Sequence, residues 1–362
     1  MPQNTKERRR TQTLEKLKIA VIGAGNIARN AHLPVYAERD DVEIVAICDW
    51  NLDRAKEIAA KFNIPHAYTT VEETLEKHPE IEAVDICVWN RSHAPVAIAA
   101  AKAGKHILCE KPMAWSVEHA EQMKKAVDEA GVTFMVAVMT RYANESQVLK
   151  AEIDSGRLGD IYYAKTGYMR RRGTPIGWFT DTQKSGGGPV IDIGIHCIDR
   201  TWYLMGKPKP VRISASTSYA IGEFKTKGVN RYKALDSDVT AFDTEDSAAA
   251  IIHFENGATM MAEVSWAINM EQDGPTEYTH IMGSKAGAKM FPLRIYGEEN
   301  GYLCNMELPT ASNNAYAAEI DHFIDCVRNH KTPESNAEDG LTMMKILEGI
   351  YTSAKAKKEI EL

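Results

Sequence analysis

The stretch Lys18-Ile19-Ala20-Val21-Ile22-Gly23-Ala24-Gly25-Asn26-Ile27-Ala28 decides the fold. A short apolar strand runs straight into G-x-G-x-x-A, the turn that presents a helix N-terminus to the pyrophosphate of a dinucleotide. Gly23 allows the tight turn, Gly25 lets backbone approach the phosphates, and Ala28 permits close packing of helix on sheet. Asn26 and Ile27 are placed at the cofactor with them. A second apolar strand, Glu43-Ile47, leads to Asp49, whose carboxylate stands where adenosine ribose hydroxyls are bound. It would repel a 2'-phosphate, and Trp50 and Asn51 bring no compensating cation. NAD is therefore expected over NADP. Arg54 offers the one escape from this, although a surface role on the following helix is its expected use.

Apolar strands and amphipathic helices go on alternating from Lys18 to about Val138. The strands are Ala83-Val88, His106-Leu108 and Phe134-Val138, and the helices include Leu52-Phe62, Pro95-Ala103 and Val117-Ala130. Such alternation predicts a parallel sheet covered by helices on both faces. After Ser155-Gly156-Arg157-Leu158-Gly159 the period changes to two, in Ile161-Met169, Val211-Tyr219, Ser247-Phe254, Thr259-Ala267 and Tyr278-Met282. These predict an antiparallel sheet with Asn256-Gly257 as a hairpin turn. Helices return at about Asn314-Asn329 and Asp339-Lys357. The fold class is α/β: a Rossmann domain over residues 16–139 and a second α/β domain over 140–362 on a large open, mostly antiparallel sheet. Residues 1–15 read as a polar arm.

Composition narrows the partners. The chain has 362 residues, 44% hydrophobic and 26% charged, as in soluble globular proteins, and exceeds the size at which one core stops growing. A formal charge of -7 argues against nucleic acid or an anionic membrane as main partner. The cysteines at 48, 87, 109, 197, 304 and 326 form neither a CxxC pair nor a Cys/His cluster, so no disulfide framework and no metal site is expected. No apolar run reaches membrane-spanning or signal-peptide length, which makes the cytoplasm the expected compartment.

Glu110-Lys111-Pro112 follows strand His106-Leu108 at the carboxyl edge of the sheet, where doubly wound folds bind ligands. Lys111 there either faces solvent or reaches cofactor and substrate. Asn90 and His93 follow Ala83-Val88 in the same way, although His93 can simply begin a helix behind Ser92. Farther on, Gly186-Gly187-Gly188-Pro189 precedes Asp192 and His196, which a regular helix would carry on one face. A carboxylate beside an imidazole holds its tautomer and tunes a group already poised for proton transfer.

Taken together, the Gly23-to-Ala28 turn, Asn90, His93, Ala103-to-Pro112, Ser155-to-Gly159 and Gly186-to-Asp199 resemble the Gfo/Idh/MocA family, named for glucose-fructose oxidoreductase and inositol dehydrogenase. The resemblance spans nearly the whole chain. It implies an N-terminal Rossmann domain binding NAD, and a C-terminal sheet whose outer face joins copies into a homodimer or homotetramer. Among the cofactor contacts it implies are Asn90, His93, Glu110 and Lys111, with a cis bond before Pro112 that turns Lys111 inward. Lys111, Asp192 and His196 become the catalytic set, with Asp192 orienting substrate or histidine. Two departures stand out: Val88-Trp89-Asn90 where the family commonly has Thr-Pro-Asn, and Met139-Thr140-Arg141 where it has Gln-Asn-Arg.

The expected chemistry is oxidation of a ring secondary hydroxyl of a sugar, glycoside or cyclitol, such as C3 of a pyranose. His196 serves as acid/base, Asp192 fixes it, and Lys111 hydrogen-bonds the reacting oxygen. The loop Arg170-Arg171-Arg172…Trp178-Phe179 should overhang the site, with Arg170, Arg172 and Trp178 meeting hydroxyls, a carboxylate or a phosphate. An NAD-dependent glycosidase is the rival reading, with Tyr142 or Tyr168 abstracting a ring proton. A non-catalytic NAD(H) sensor is a third, opposed by the intact Lys111, Asp192 and His196.

Overall fold

The computed structural model describes residues 15–224, 226–235, 241–271 and 274–362, so the arm expected over 1–15 lies outside them except for its last residue. Six strands build the first sheet: β1 (Leu17–Ile22), β2 (Val42–Cys48), β3 (His66–Tyr68), β4 (Ala83–Ile86), β5 (His106–Glu110) and β6 (Phe134–Ala137). All run parallel in the order β3-β2-β1-β4-β5-β6. Helices cover both faces, which is why β4 and β6 are buried at every residue; β6 is apolar throughout, and β4 is interrupted only by the buried Asp85. Strand β3 is the exception: three partly exposed residues, His-Ala-Tyr, give no periodicity to detect. The order reverses between β1 and β4, so the carboxyl ends of these strands open a cleft there.

The second sheet has nine strands: β7 (Ile161–Met169), β8 (Pro210–Ser218), β9 (Ser247–Phe254), β10 (Thr259–Ser265), β11 (Glu277–Gly283), β12 (Gly287–Lys289), β13 (Arg294–Glu299), β14 (Tyr302–Glu307) and β15 (Ile360–Glu361). Their order is β14-β13-β12-β11-β7-β10-β9-β8-β15, antiparallel except for the β7–β10 pair. Burial alternates along β9 and β10, so one face packs on helices while the other, carrying Ile251 and Met261, is uncovered. Asn256-Gly257 joins β9 to β10, Gly257 taking a φ of +83°.

Two features hold residues 140–362 in place, the first by packing against the Rossmann sheet. Helix Ala315–Asn329 packs Ile320, Phe323, Ile324 and Val327 into the same core as Ile19 and Val21 of the first sheet. Arg141 lies fully buried, its guanidinium forking onto both oxygens of Asp199 at 2.7 Å and onto Asp339 at 2.9 Å. The last acid of the Gly186-to-Asp199 stretch is thus structural. Among the described residues, no helix is long and apolar enough to cross a membrane.

Candidate functional site

The fingerprint turn divides its glycines by job. Gly23 has a φ of +107°, and a Cβ there would lie 2.4 Å from the Cys87 carbonyl oxygen, so only glycine fits. A Cβ on Gly25 would meet no protein atom nearer than 3.8 Å, which leaves the space beside its backbone open to a ligand. Asp49, at the end of β2, accepts from Ala24 N at 2.8 Å and Asn51 N at 2.9 Å. Arg54 is not the surface residue the sequence suggested. Its Nε and Nη2 donate to Asp49 at 3.0 and 2.6 Å, and both residues line a cleft of about 460 Å³ with Gly23, Gly25, Asn26 and Ile27. The open glycine backbone and the carboxylate at the end of β2 fit the pyrophosphate and ribose of NAD. Asn26 turns its amide to the cleft's other wall, donating to Tyr232 Oη at 2.9 Å and Lys233 O at 3.1 Å.

A second cavity of about 400 Å³ continues from the cleft, sharing Ile27, Val88, Trp178, Phe179 and Tyr232 with it. Asn90, Glu110, Lys111, Asp192 and His196 all line it. The Lys111-Pro112 bond is cis, and Lys111 Nζ donates to Asp192 O at 2.6 Å with Asp192 Oδ1 3.6 Å away. Asn90 crosses to the other domain, donating to Ser185 O at 2.7 Å.

Asp192 does not hold His196, contrary to the sequence expectation. Residues Val190–Gly194 form a π-turn, whose hydrogen bonds span five residues, before the regular helix Ile195–Leu204 begins. The Asp192 carboxylate instead accepts from Trp266 Nε1 at 2.9 Å and faces Lys111. His196 Nδ1 is buried with no partner among the described residues. Burial, then the positive charges of Lys111, Arg200 and Arg170, push the imidazole well below its ordinary pKa. It is therefore neutral at pH 7.

The glycines ahead of this turn answer to distant residues. A Cβ on Gly187 would come within 2.1 Å of the Tyr351 hydroxyl, and one on Gly188 within 2.5 Å of the Glu245 carbonyl oxygen. Glu245 accepts from Gly188 N at 3.0 Å, Val190 N at 3.2 Å and Tyr351 Oη at 2.8 Å, fixing the turn that delivers Asp192 and His196.

Three further residues stand apart from the cavity. His93 is fully buried with its ring nitrogens on Pro112 O at 2.8 Å and Val88 O at 3.1 Å, so it braces the Lys111 turn from behind. Tyr142 is buried against Met135. Arg172 bonds Asn269 and the Ile268 carbonyl outside the cavity, because a bend at Arg171, past the end of β7, breaks the alternation that would set it on the side of Arg170. Arg170 and Trp178 do line it, as does Tyr168.

Sequence reasoning missed what lies beneath Glu110. His32, just past the fingerprint, puts Nδ1 2.7 Å from Asp85 and Nε2 3.1 Å from Glu110, all three buried. Burial opposes charge on this imidazole, but Asp85 and Cys87 together outweigh it and raise the pKa well above the ordinary value. Cys87 joins His32 and Asp85 in a buried group whose ligand atoms lie within 4.8 Å of one another. No local pattern marks the contact, since its partners come from three separate elements.

Known proteins fit this geometry. An oxidoreductase-family model with an NAD-binding Rossmann fold matches residues 17–138, and the same family's C-terminal alpha/beta domain matches 150–362. D-glucoside 3-dehydrogenase of Escherichia coli (strain K12) is 32% identical over 97% of this chain and 99% of its own. scyllo-Inositol 2-dehydrogenase (NAD(+)) of Bacillus subtilis (strain 168) is 28% identical over 88% of each. Among solved structures, an aldose-aldose oxidoreductase from Caulobacter crescentus complexed with glycerol is 25% identical and has a TM-score of 0.79, covering 96% of this chain and 100% of that one.

Proposed function

Since this chain belongs to the Gfo/Idh/MocA family of NAD-binding oxidoreductases, we propose that it oxidises a ring secondary hydroxyl of a sugar, glycoside or cyclitol, with C3 of a pyranose as the position. One observation carries the reading: Lys111, Asp192 and His196 line a single cavity that is continuous with the fingerprint cleft. NAD supplies a hydride acceptor when bound. The chain's own part is to orient the hydroxyl and take its proton. Lys111, tethered to Asp192, donates a hydrogen bond to the reacting oxygen, and neutral His196 accepts the hydroxyl proton. Asp192 is thereby a positioning residue for Lys111 rather than for the histidine, and Trp266 fixes the carboxylate from behind.

Steady-state NADH formation by Lys111→Ala and His196→Ala variants tests this. Each should lose on the order of 10²-fold or more in kcat, the usual contribution of a positioned acid or base. Near wild-type rates in both, with cofactor still bound, sink the assignment. Against the glycosidase reading, Tyr142 is out of reach, whereas Tyr168 lines the cavity. Nitrophenol release from a nitrophenyl glycoside without net NADH would favour that route. We also assign association into a dimer or tetramer to the uncovered sheet face around Ile251 and Met261, which light scattering of the purified protein checks.

A further inference from the structure

We propose that Glu277 determines substrate specificity: with Tyr168 and Arg170 it forms a subsite that accepts a neutral vicinal diol on the ring and turns away anionic sugars. The proposal rests on the sugar-oxidising reading above and narrows it.

Glu277 opens β11 directly opposite Tyr168 of β7, so the two side chains leave the sheet on the same face. Both line the catalytic cavity together with Arg170. Behind Glu277 sits Arg200, only 2% exposed, whose Nη1 donates to Glu277 Oε2 at 3.0 Å. Arg200 is itself set by Thr279 Oγ1 at 3.1 Å from Nη2 and by the Phe291 ring 5.0 Å from its centre. A buried cation so fixed orients the carboxylate and leaves its other oxygen, Oε1, without a partner among the described residues. Across from it, Arg170 donates one Nη2 bond to Tyr168 Oη at 2.8 Å and lies 4.7 Å over that ring.

The pairing has a chemical meaning. A carboxylate oxygen accepts a hydroxyl proton, a guanidinium donates to a hydroxyl oxygen, and neighbouring ring hydroxyls offer both. Tyr168 adds an aromatic face for the ring's C–H edge. Arg170 alone would welcome a carboxylate or phosphate. Glu277, its side chain three-quarters buried, would meet it with like charge that is screened less than on an open surface. Of the substituents that the arginine-rich loop admits in principle, the subsite keeps the hydroxyls.

The test is calorimetric binding to the NADH-loaded protein, using methyl glucoside, methyl galactoside and their uronide counterparts, with NADH formation followed separately on NAD. Wild type should hold at least one neutral glycoside ~10-fold or more tighter than its uronide. Glu277→Gln should weaken the neutral ligand by about 10-fold and erase most of that preference, raising KM with little change in kcat. Glu277→Asp keeps the charge and shortens the reach, so it should weaken the neutral glycoside yet still reject the uronide. NADH affinity should not move in either variant, whereas the melting temperature should fall in Glu277→Gln, which leaves the buried Arg200 without its counter-charge. Equal affinity for neutral and anionic ligands in wild type, binding of neither, or an unchanged preference in Glu277→Gln overturns the proposal. Preferential glycoside binding without NADH formation would leave the subsite standing and defeat the oxidation reading instead.

Discussion

Two glycine-rich turns bracket the active site, and they owe their glycines to different causes. At Gly23 the backbone itself demands glycine: φ is +107° and the opposing atom is a main-chain carbonyl of the neighbouring strand. At Gly187 the opposing atom is the hydroxyl of Tyr351, 164 residues away in sequence and brought there by helix Ala337–Ala356. The first turn is a local solution to binding a pyrophosphate. The second is a joint, held by Glu245 and Tyr351, that aims Asp192 and His196 across at Lys111.

The sharpest way to break the contrast is at the first turn. Gly23→Ala combines a disfavoured backbone, costing about 1–3 kcal/mol, with a main-chain clash that cannot relax, so little folded protein should be recovered. Gly25→Ala meets no such obstacle. It should fold with a near-normal melting temperature and lose NAD affinity by ~10-fold or more, as seen by quenching of protein fluorescence. Equal damage from both would show that the two glycines share one role.

The joint should fail more gently. Tyr351→Phe takes one of three donors from Glu245 and should cost about 1–3 kcal/mol in urea unfolding. It should also lower kcat while NAD binding stays unchanged, because the first turn is untouched. A loss of NAD affinity equal to the loss of kcat would dissolve the distinction.

The smallest effect is a pH dependence. Burial raises the Glu245 carboxyl above its ordinary range even though Tyr351 and the backbone amides of Val190, Gly188 and Glu245 itself favour its charged form. The folded state therefore holds that proton more tightly than the unfolded chain. Its contribution to stability is complete below the unfolded pKa and declines as pH rises through the raised folded value. Glu245→Gln does not titrate, so its melting temperature should fall farthest below wild type near pH 5 and the gap should narrow towards pH 8. A gap that widens with pH would mean that the ionised form is the stabilising one.

The fingerprint, Asp49 and the Lys111 turn were legible because each is a short segment whose neighbours in space are neighbours in sequence. His32 was not, since only the sheet brings Asp85 and Glu110 to its two nitrogens. Asp192 and His196 were found correctly as lining one cavity, but their partnership was misread. A four-residue spacing brings two side chains to one cavity without making them partners, and here Trp266 and Lys111, from other elements, take the Asp192 carboxylate. The arginine triplet shows the same limit: a bend at Arg171 separates Arg170 from Arg172, and no composition argument says which faces the site.

By itself the sequence determined the two-part α/β fold, the NAD-binding turn and the residues available for chemistry, because periodicity and turn geometry act over a few residues. Tertiary structure alone decided which of them meet: that Asp192 serves Lys111, that His196 stands neutral and unpartnered, and that Glu277 enters the cavity on a buried arginine. Charge, burial and reach at a site are set by whichever elements pack against it, and those contacts span the whole chain.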